Sequence, residues 1–450
     1  MRPSILPLFL GCALATIGLQ AGEPARSLIT DHGAKADGVT VNTAAIQATI
    51  DACAAGPGGV VVVPAGTFLS GSIFLKSNVT LQLETGAVLK GTINPGDYPQ
   101  IPTRWEGIER DWTAALVNAV GASHVAITGP GTIDGSGTEW PRMARDRRPG
   151  AGDPGEPAVA GAGPLPVDPN RREGGATNPG PSGAVPQPPR RGRPRLIVFQ
   201  DCQEVRLSGL HLLNQSSWGL VFIYCDGVRA EGLNIRAEHH IPSSDGVDID
   251  SSRHVVVTGC DIDVNDDCIS IKSGKDEEGR RINRPSEDIL VERTRFGYGH
   301  GGVAMGSETS GGIRRVEVRD CVFEADNWAP VRFKSQPSRG GVVEDITYRD
   351  LRLNHTRQAV EFNLAWRMVP PVAPPAPVLP VVRRIRLINL TGTVGSAGII
   401  EGLPGSPIRD VTFEGCVLMA EKPLVLVHTV DVSLDGLQLT GVAGDPVVRR

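Results

Sequence analysis

Residues 243–274 read SSDGVDIDSSRHVVVTGCDIDVNDDCISIKSG and hold seven aspartates, Asp245, Asp248, Asp250, Asp261, Asp263, Asp266 and Asp267. Acids alternate with apolar residues in Val247-Asp248-Ile249-Asp250 and in Ile262-Asp263-Val264. A period of two residues is that of a strand with one buried face. The phase then slips, because Ile262 and Val264 are even-numbered while Ile269 and Ile271 are odd. One regular strand cannot bury both sets, so a bend is expected between them, with Asp266 and Asp267 at the corner. Two adjacent carboxylates at a corner can reach one cleft, which a straight strand forbids. Asp248, Asp250, Asp261 and Asp263 are expected to be outward and solvated.

The segment VVVTGCDIDVN inside this stretch recurs in altered form. VTLQLETGAVL (from Val79), VAITGPGTIDG (Val125), VRLSGLHLLN (Val205) and VRAEGLNIRAE (Val228) precede it. Six more follow, from ILVERTRFGYG (Ile289) to VSLDGLQLTG (Val432). Each is a short alternating strand, a tight turn that often contains Gly, and a second strand. Successive starts from Val205 onward are 21 to 39 residues apart. Strands at this period without helices indicate a β-solenoid, whereas a propeller needs four strands per repeat. The expected fold is all-β, a right-handed parallel β-helix. The pattern of Val39–Ala54 predicts one helix, which Asn42 or Thr43 can cap, followed by a short buried strand at Val60–Val63. This helix would cover the N-terminal end of the solenoid, where pairing groups would otherwise be exposed.

The chain has 450 residues, 40% apolar content, 55 Gly and 36 Pro, with a net charge of -5. Such a balance suits a large, turn-rich β core. Arg2, the apolar run Ile5–Leu19 and Ala21 predict a secretory signal over residues 1–21, and the run is short for a membrane span. A lipoprotein signal ending at Cys12 is the alternative. Residues 22–450 are read as a single catalytic domain, monomeric, with no membrane span, and secreted or periplasmic. Seven cysteines remain beyond Cys12, an odd number with no CxxC, so zinc and a redox pair are not expected. Cys260, Cys321 and Cys416 share one repeat position and read as small core residues.

Two segments interrupt the repeat. Residues 142–195 hold 12 Pro, 10 Gly and ten Arg against five acids, the composition of a solvated linker. Residues 369–380 hold six Pro and read as an extended loop. Without the first insert the remainder is near -10, which argues against nucleic acid as a partner.

Two later segments carry candidate chemistry. Gly299-His300-Gly301-Gly302 lets backbone or ligand approach closely. In Val331-Arg332-Phe333-Lys334, alternation puts Arg332 and Lys334 on one face and Phe333 on the other. Equivalent positions of successive coils stack about 4.8 Å apart, so residues distant in sequence converge on one strip of surface. Lys272 and Glu308 are candidate cleft residues, Trp218 either contacts sugar or pads a coil, and Asp134 is expected to order a turn.

This set resembles glycoside hydrolase family 28, the polygalacturonases. The likeness runs through DHGAKADGVTVNTAAIQATIDAC, WEGIERDW and GPGTIDGSGTEW, as in bacterial members. The family's four motifs follow in order, as Ser243-Ser244-Asp245-Gly246, Asp266-Asp267-Cys268, Gly299-His300-Gly301 and Arg332-Phe333-Lys334. The resemblance implies inverting hydrolysis of α-linked galacturonic acid in pectic polysaccharide, with no cofactor or metal. It casts Asp266 as proton donor, Asp245 and Asp267 as activators of water, and His300 as support for the acid. Arg332 and Lys334 would bind a substrate carboxylate. Ser243 and Ser244 depart from the family's Asn-Thr and bear on substrate preference. Rhamnogalacturonan or xylogalacturonan hydrolysis, a calcium-dependent lyase and a non-catalytic carbohydrate-binding solenoid are the competing readings. Endo or exo cleavage would depend on whether loops, including the two interrupting segments, close one end of the cleft.

Overall fold

The computed structural model describes residues 25–140, 192–366 and 373–450. The signal segment, Cys12 and most of the Pro/Gly/Arg-rich insert therefore lie outside the described residues.

Among the described residues 32 strands form one continuous, entirely parallel stack, a right-handed parallel β-helix. Through the middle of the solenoid each coil contributes three strands, to three sheets, and towards the C-terminus these run together into long strands such as Val342–Asn363 and Val381–Glu401. The repeat visible in the sequence supplies the second and third sheets, as in Arg253–Thr258 followed by Asp261–Asp263. Between them sits one residue in the left-handed region on coil after coil: Gly209, Gly232, Gly259, Arg293, Asp320, Asp350, Asn389 and Gly415. Gly, Asn and Asp tolerate that conformation, which explains the turn residues of the repeat at all of these positions but Arg293.

The remaining sheet, here the site sheet, was not part of the recognised repeat. In the middle of the solenoid it runs Val117–Val120, Ile197–Gln200, Leu220–Ile223, Val247–Asp250, Asp267–Lys272, Gly301–Met305 and Val331–Lys334. It continues through Val360–Asn363 of the next coil. The inward residues Val247, Ile249, Ile269, Ile271, Val303, Met305, Val331 and Phe333 are all buried in one core. Phe333 packs 4.1 Å from Phe362, ring centre to ring centre, on the next coil.

The N-terminal helix spans Thr43–Ala55 and buries Ile46 and Ile50. It starts later than the apolar pattern suggested, because Val39–Val41 belongs to the strand Asp37–Val41. Asn42 precedes the helix, but its side chain accepts from Lys35 N and donates to the Lys35, Thr40 and Leu69 carbonyls. It ties strand to helix instead of capping. All seven described cysteines are free, and Cys260, Cys321 and Cys416 are buried core residues as expected. Asp134 orders its turn by accepting from Ser136 N at 2.8 Å. Among the described residues no helix is long and apolar enough to cross a membrane.

One element departs from the solenoid. Gln100–Trp105 and Ile108–Thr113 form an antiparallel hairpin, the only antiparallel strand pair among the described residues. It leaves the coil before Val117–Val120 and lies on the outer face of the site sheet.

Candidate active site

The site follows from register. Parallel pairing puts Asp248, Ser270, Ala304, Arg332 and Glu361 in one outward row. Asp250 and Lys272 share the next row. Asp267 opens its strand opposite Gly301, and Asp266 sits in the bend before it, where the phase slip required a corner. A side chain at Gly301 would put its Cβ 2.7 Å from Asp267 Oδ1 and 3.0 Å from Arg332 Cδ, so glycine leaves the room this pair occupies.

Asp245, Asp266 and Asp267 converge, with carboxylate oxygens within 4.8 Å of one another. His300 Nδ1 lies 3.6 Å from Asp266 Oδ1. Arg332 Nη1 is 3.3 Å from Asp267 Oδ1, and Lys334 Nζ donates to Asp267 Oδ2. A carboxylate triad of this kind can hold a cation, but both oxygens of Asp267 already face a cationic side chain. Lys272 and Glu308 are buried and bonded to each other at 3.2 Å, and Lys272 also approaches Asp248 at 3.6 Å.

Asp248 and Asp250 correct the expectation of solvated aspartates, for both are fully buried. Lys272 lies over Asp248, and the hairpin decides the burial of Asp250. Arg104 reaches across from it to Asp250 Oδ1 at 2.8 Å, and the aromatic layer around it excludes water. Asp261 and Asp263 do remain half-exposed, pairing with Arg295 and His239 respectively. Arg195, at the end of the insert, is another correction. It is buried and donates to Arg104 O at 3.0 Å and Thr103 Oγ1 at 3.1 Å. Its place beside the hairpin, not the composition around it, sets its environment. Trp218 is buried beneath Trp105, with Lys272 Nζ 4.8 Å from its ring centre.

Two site residues went unrecognised in the sequence. Glu361 pairs with Arg332 Nε at 2.7 Å, and the Trp366 ring lies 5.0 Å from the Arg332 guanidinium. The only sequence signal for Glu361 is its register one coil beyond Arg332, and that needs the loop lengths resolved first.

Burial, reinforced by Asp248 and Asp266, pushes the Asp245 carboxyl well above the usual range. Burial also pushes Asp248 up to about 8, against the pull of Lys272. For Asp266 burial acts the same way, but the His300 contact, with Lys334 and Arg332 behind it, outweighs it and holds the carboxyl low. Since 31% of the Asp266 side chain is open to water, screening moderates that pull. Burial would raise Glu308 too, yet the Lys272 ammonium brings it down to about 2.

Residues 182–434 match Glycosyl hydrolases family 28. This chain belongs to that family. Residues 26–94 match a second family, rhamnogalacturonase A/epimerase, pectate lyase-like. An exo-poly-alpha-D-galacturonosidase of Dickeya chrysanthemi is 30% identical over 354 residues, which is 75% of this chain and 57% of that protein. The chain thus spans little more than half the length of that relative. An endo-polygalacturonase of Pectobacterium carotovorum is 27% identical over 361 residues, 79% of each chain. The crystal structure of an exopolygalacturonase from Thermotoga maritima superimposes with a TM-score of 0.74 at 28% identity, covering 95% of this chain and 93% of that one. The family 28 fold of this chain is therefore accompanied by both exo- and endo-acting relatives.

Proposed function

We propose that this family 28 chain hydrolyses α-1,4-linked galacturonic acid in pectic polysaccharide. The observation that carries the reading is the carboxylate triad flanked by two cations: Asp245, Asp266 and Asp267 within 4.8 Å, with Arg332 and Lys334 on Asp267. Hydrolysis of a glycoside needs one protonated and one ionised carboxyl group, and a uronate needs cationic side chains to hold it. Asp266 gives its proton to the glycosidic oxygen as the bond from that oxygen to C1 breaks. Asp245 and Asp267 orient a water, and one of them takes its proton as the water oxygen bonds to C1. Arg332 and Lys334 hold the substrate carboxylate, and His300 tunes Asp266.

In the resting site Asp266 is held low and Asp245 high, which is the reverse of the proton distribution the reaction needs. A bound uronate relieves the half that concerns Asp266, and Asp267, held by Arg332 and Lys334, is the carboxylate left to take the water's proton. The uronate's negative charge beside Arg332, Lys334 and His300 cancels the positive field that keeps Asp266 ionised, so substrate binding itself raises the proton affinity of the acid.

Carboxylates this close fall short of the roughly 6.5–9.5 Å of most inverting pairs and come nearer the roughly 5–5.5 Å of retaining ones. The inverting assignment rests on the family resemblance, not on this spacing. Proton NMR of the first product from polygalacturonate tests it. A β-anomer appearing first supports inversion, and an α-anomer first means retention. An unsaturated uronate means a lyase, and with it a cation at the triad.

A further inference from the structure

The hairpin of residues 100–113 packs on the outward face of the site sheet, on the coils that precede the acids. Trp105 stacks on Trp112 with ring centres 4.7 Å apart and lies 4.8 Å from Trp218. This layer sits directly on Val198, Val221 and Ile223, outward residues of the site sheet one and two coils before Asp248 and Asp250. In a solenoid with an open groove those outward positions would be the floor for a long polymer. Here they form a second apolar core.

The hairpin is anchored towards its tip. Arg104 joins Asp250 and Ser251 Oγ, each at 2.8 Å, and also Glu109 at 2.8 Å. At the tip, Gly107 O accepts from Lys275 N at 3.0 Å. A Cβ on Gly107 would come within 2.7 Å of Lys275 Cβ and 2.9 Å of Glu308 Cγ, so the tip is seated against the coils that carry the acids. From the other side, a Cβ on Gly192 would collide with the Trp112 ring. A wall fixed by buried ion pairs and ring stacking is part of the rigid body of the protein, not a surface loop.

The space left on this side is short. Gly219 N, next to Trp218, donates to Asp245 O, and Gly246 N donates to Asp267 O. Trp218 thus stands one coil before Asp245 and two before Asp267, and one coil is about 4.8 Å. We infer that the cleft is blind on its N-terminal side, with no more than a single sugar ring accommodated between the tryptophan wall and the bond that is cut. Polymer enters end-on, and one uronic acid unit leaves per cut. This rests on the galacturonan reading above and adds the cleavage mode to it.

Digestion of polygalacturonate, sampled from the first minutes, tests the inference through product length and viscosity. Free galacturonic acid as the only early product, with viscosity falling slowly as reducing ends accumulate, is the expected result. A ladder of oligomers with a rapid viscosity drop overturns it. Absence of any uronide from any pectic polymer would instead defeat the hydrolase reading itself. Trp105→Ala opens the wall, and the folded variant is expected to release dimers and trimers beside the monomer. A folded variant that still yields monomer alone would show that the hairpin is not the wall. Should the variant fail to fold, the wild-type product profile still decides.

Discussion

Arg332 Nη1 sits 3.3 Å from Asp267 Oδ1 and donates to His300 O at 2.7 Å, so one guanidinium braces a carboxylate of the triad and the backbone of its histidine. Its Nε faces Glu361 at 2.7 Å on the other side. Three partners from three coils are oriented by one planar group, which an ammonium cannot imitate. Arg332→Ala strands Asp267 and Glu361 with one cation fewer and is expected to cost about 3–5 kcal/mol in denaturant unfolding. Arg332→Lys is expected to recover part of that stability but not the Michaelis constant for polygalacturonate, and equal recovery of both would refute the bracing role.

Asp266 is the most open member of the triad, so its carboxyl can be removed with little effect on the fold. Asp266→Asn is expected to lower kcat by about 10²–10⁴ while substrate affinity and melting temperature hold. Direct binding of oligogalacturonide by calorimetry, beside a reducing-end assay, checks both halves. Full activity in the variant would remove Asp266 from the proton-donor role.

His300 supplies the largest pull that holds Asp266 low. Its removal must therefore raise the proton affinity of Asp266, leaving the acid protonated to higher pH. His300→Asn is expected to move the alkaline limb of the kcat profile upward while its maximum drops about 10- to 100-fold. A lowered maximum with an unmoved limb would mean that the histidine positions substrate without tuning the acid.

Asp248 carries a stability signature. Its carboxyl rises from 3.8 to about 8 in the fold, so the folded state binds this proton more tightly than the unfolded chain. The associated stability is fully present below about pH 4 and is lost as pH climbs through about 8. Asp248→Asn mimics the protonated form at every pH. Its melting temperature is expected to pull ahead of wild type progressively between pH 4 and 8, and parallel melting curves would contradict the buried, protonated assignment.

The sequence alone was enough for the architecture and for most of the triad's membership. Alternation every second residue and the return of the VVVTGCDIDVN pattern specify stacked strands, because only a parallel solenoid buries one face of so many short strands. The phase slip between Ile262 and Ile269 located the corner at Asp266 and Asp267. Tertiary structure decided the rest. The site sheet escaped the repeat because the loops leading into its strands differ in length from coil to coil, so the register joining Arg332 to Glu361 cannot be counted along the chain. Whether an outward aspartate meets water is likewise not local. Asp250 is buried by Arg104, 146 residues earlier, and Asp261 on another sheet of the same coil is not. The cost of burying a charge depends on which partner arrives, and here the hairpin brings that partner. The same hairpin is the wall inferred for the cleft, a role its sequence does not announce, because its tryptophans find their apolar floor only after the coils beneath them have stacked.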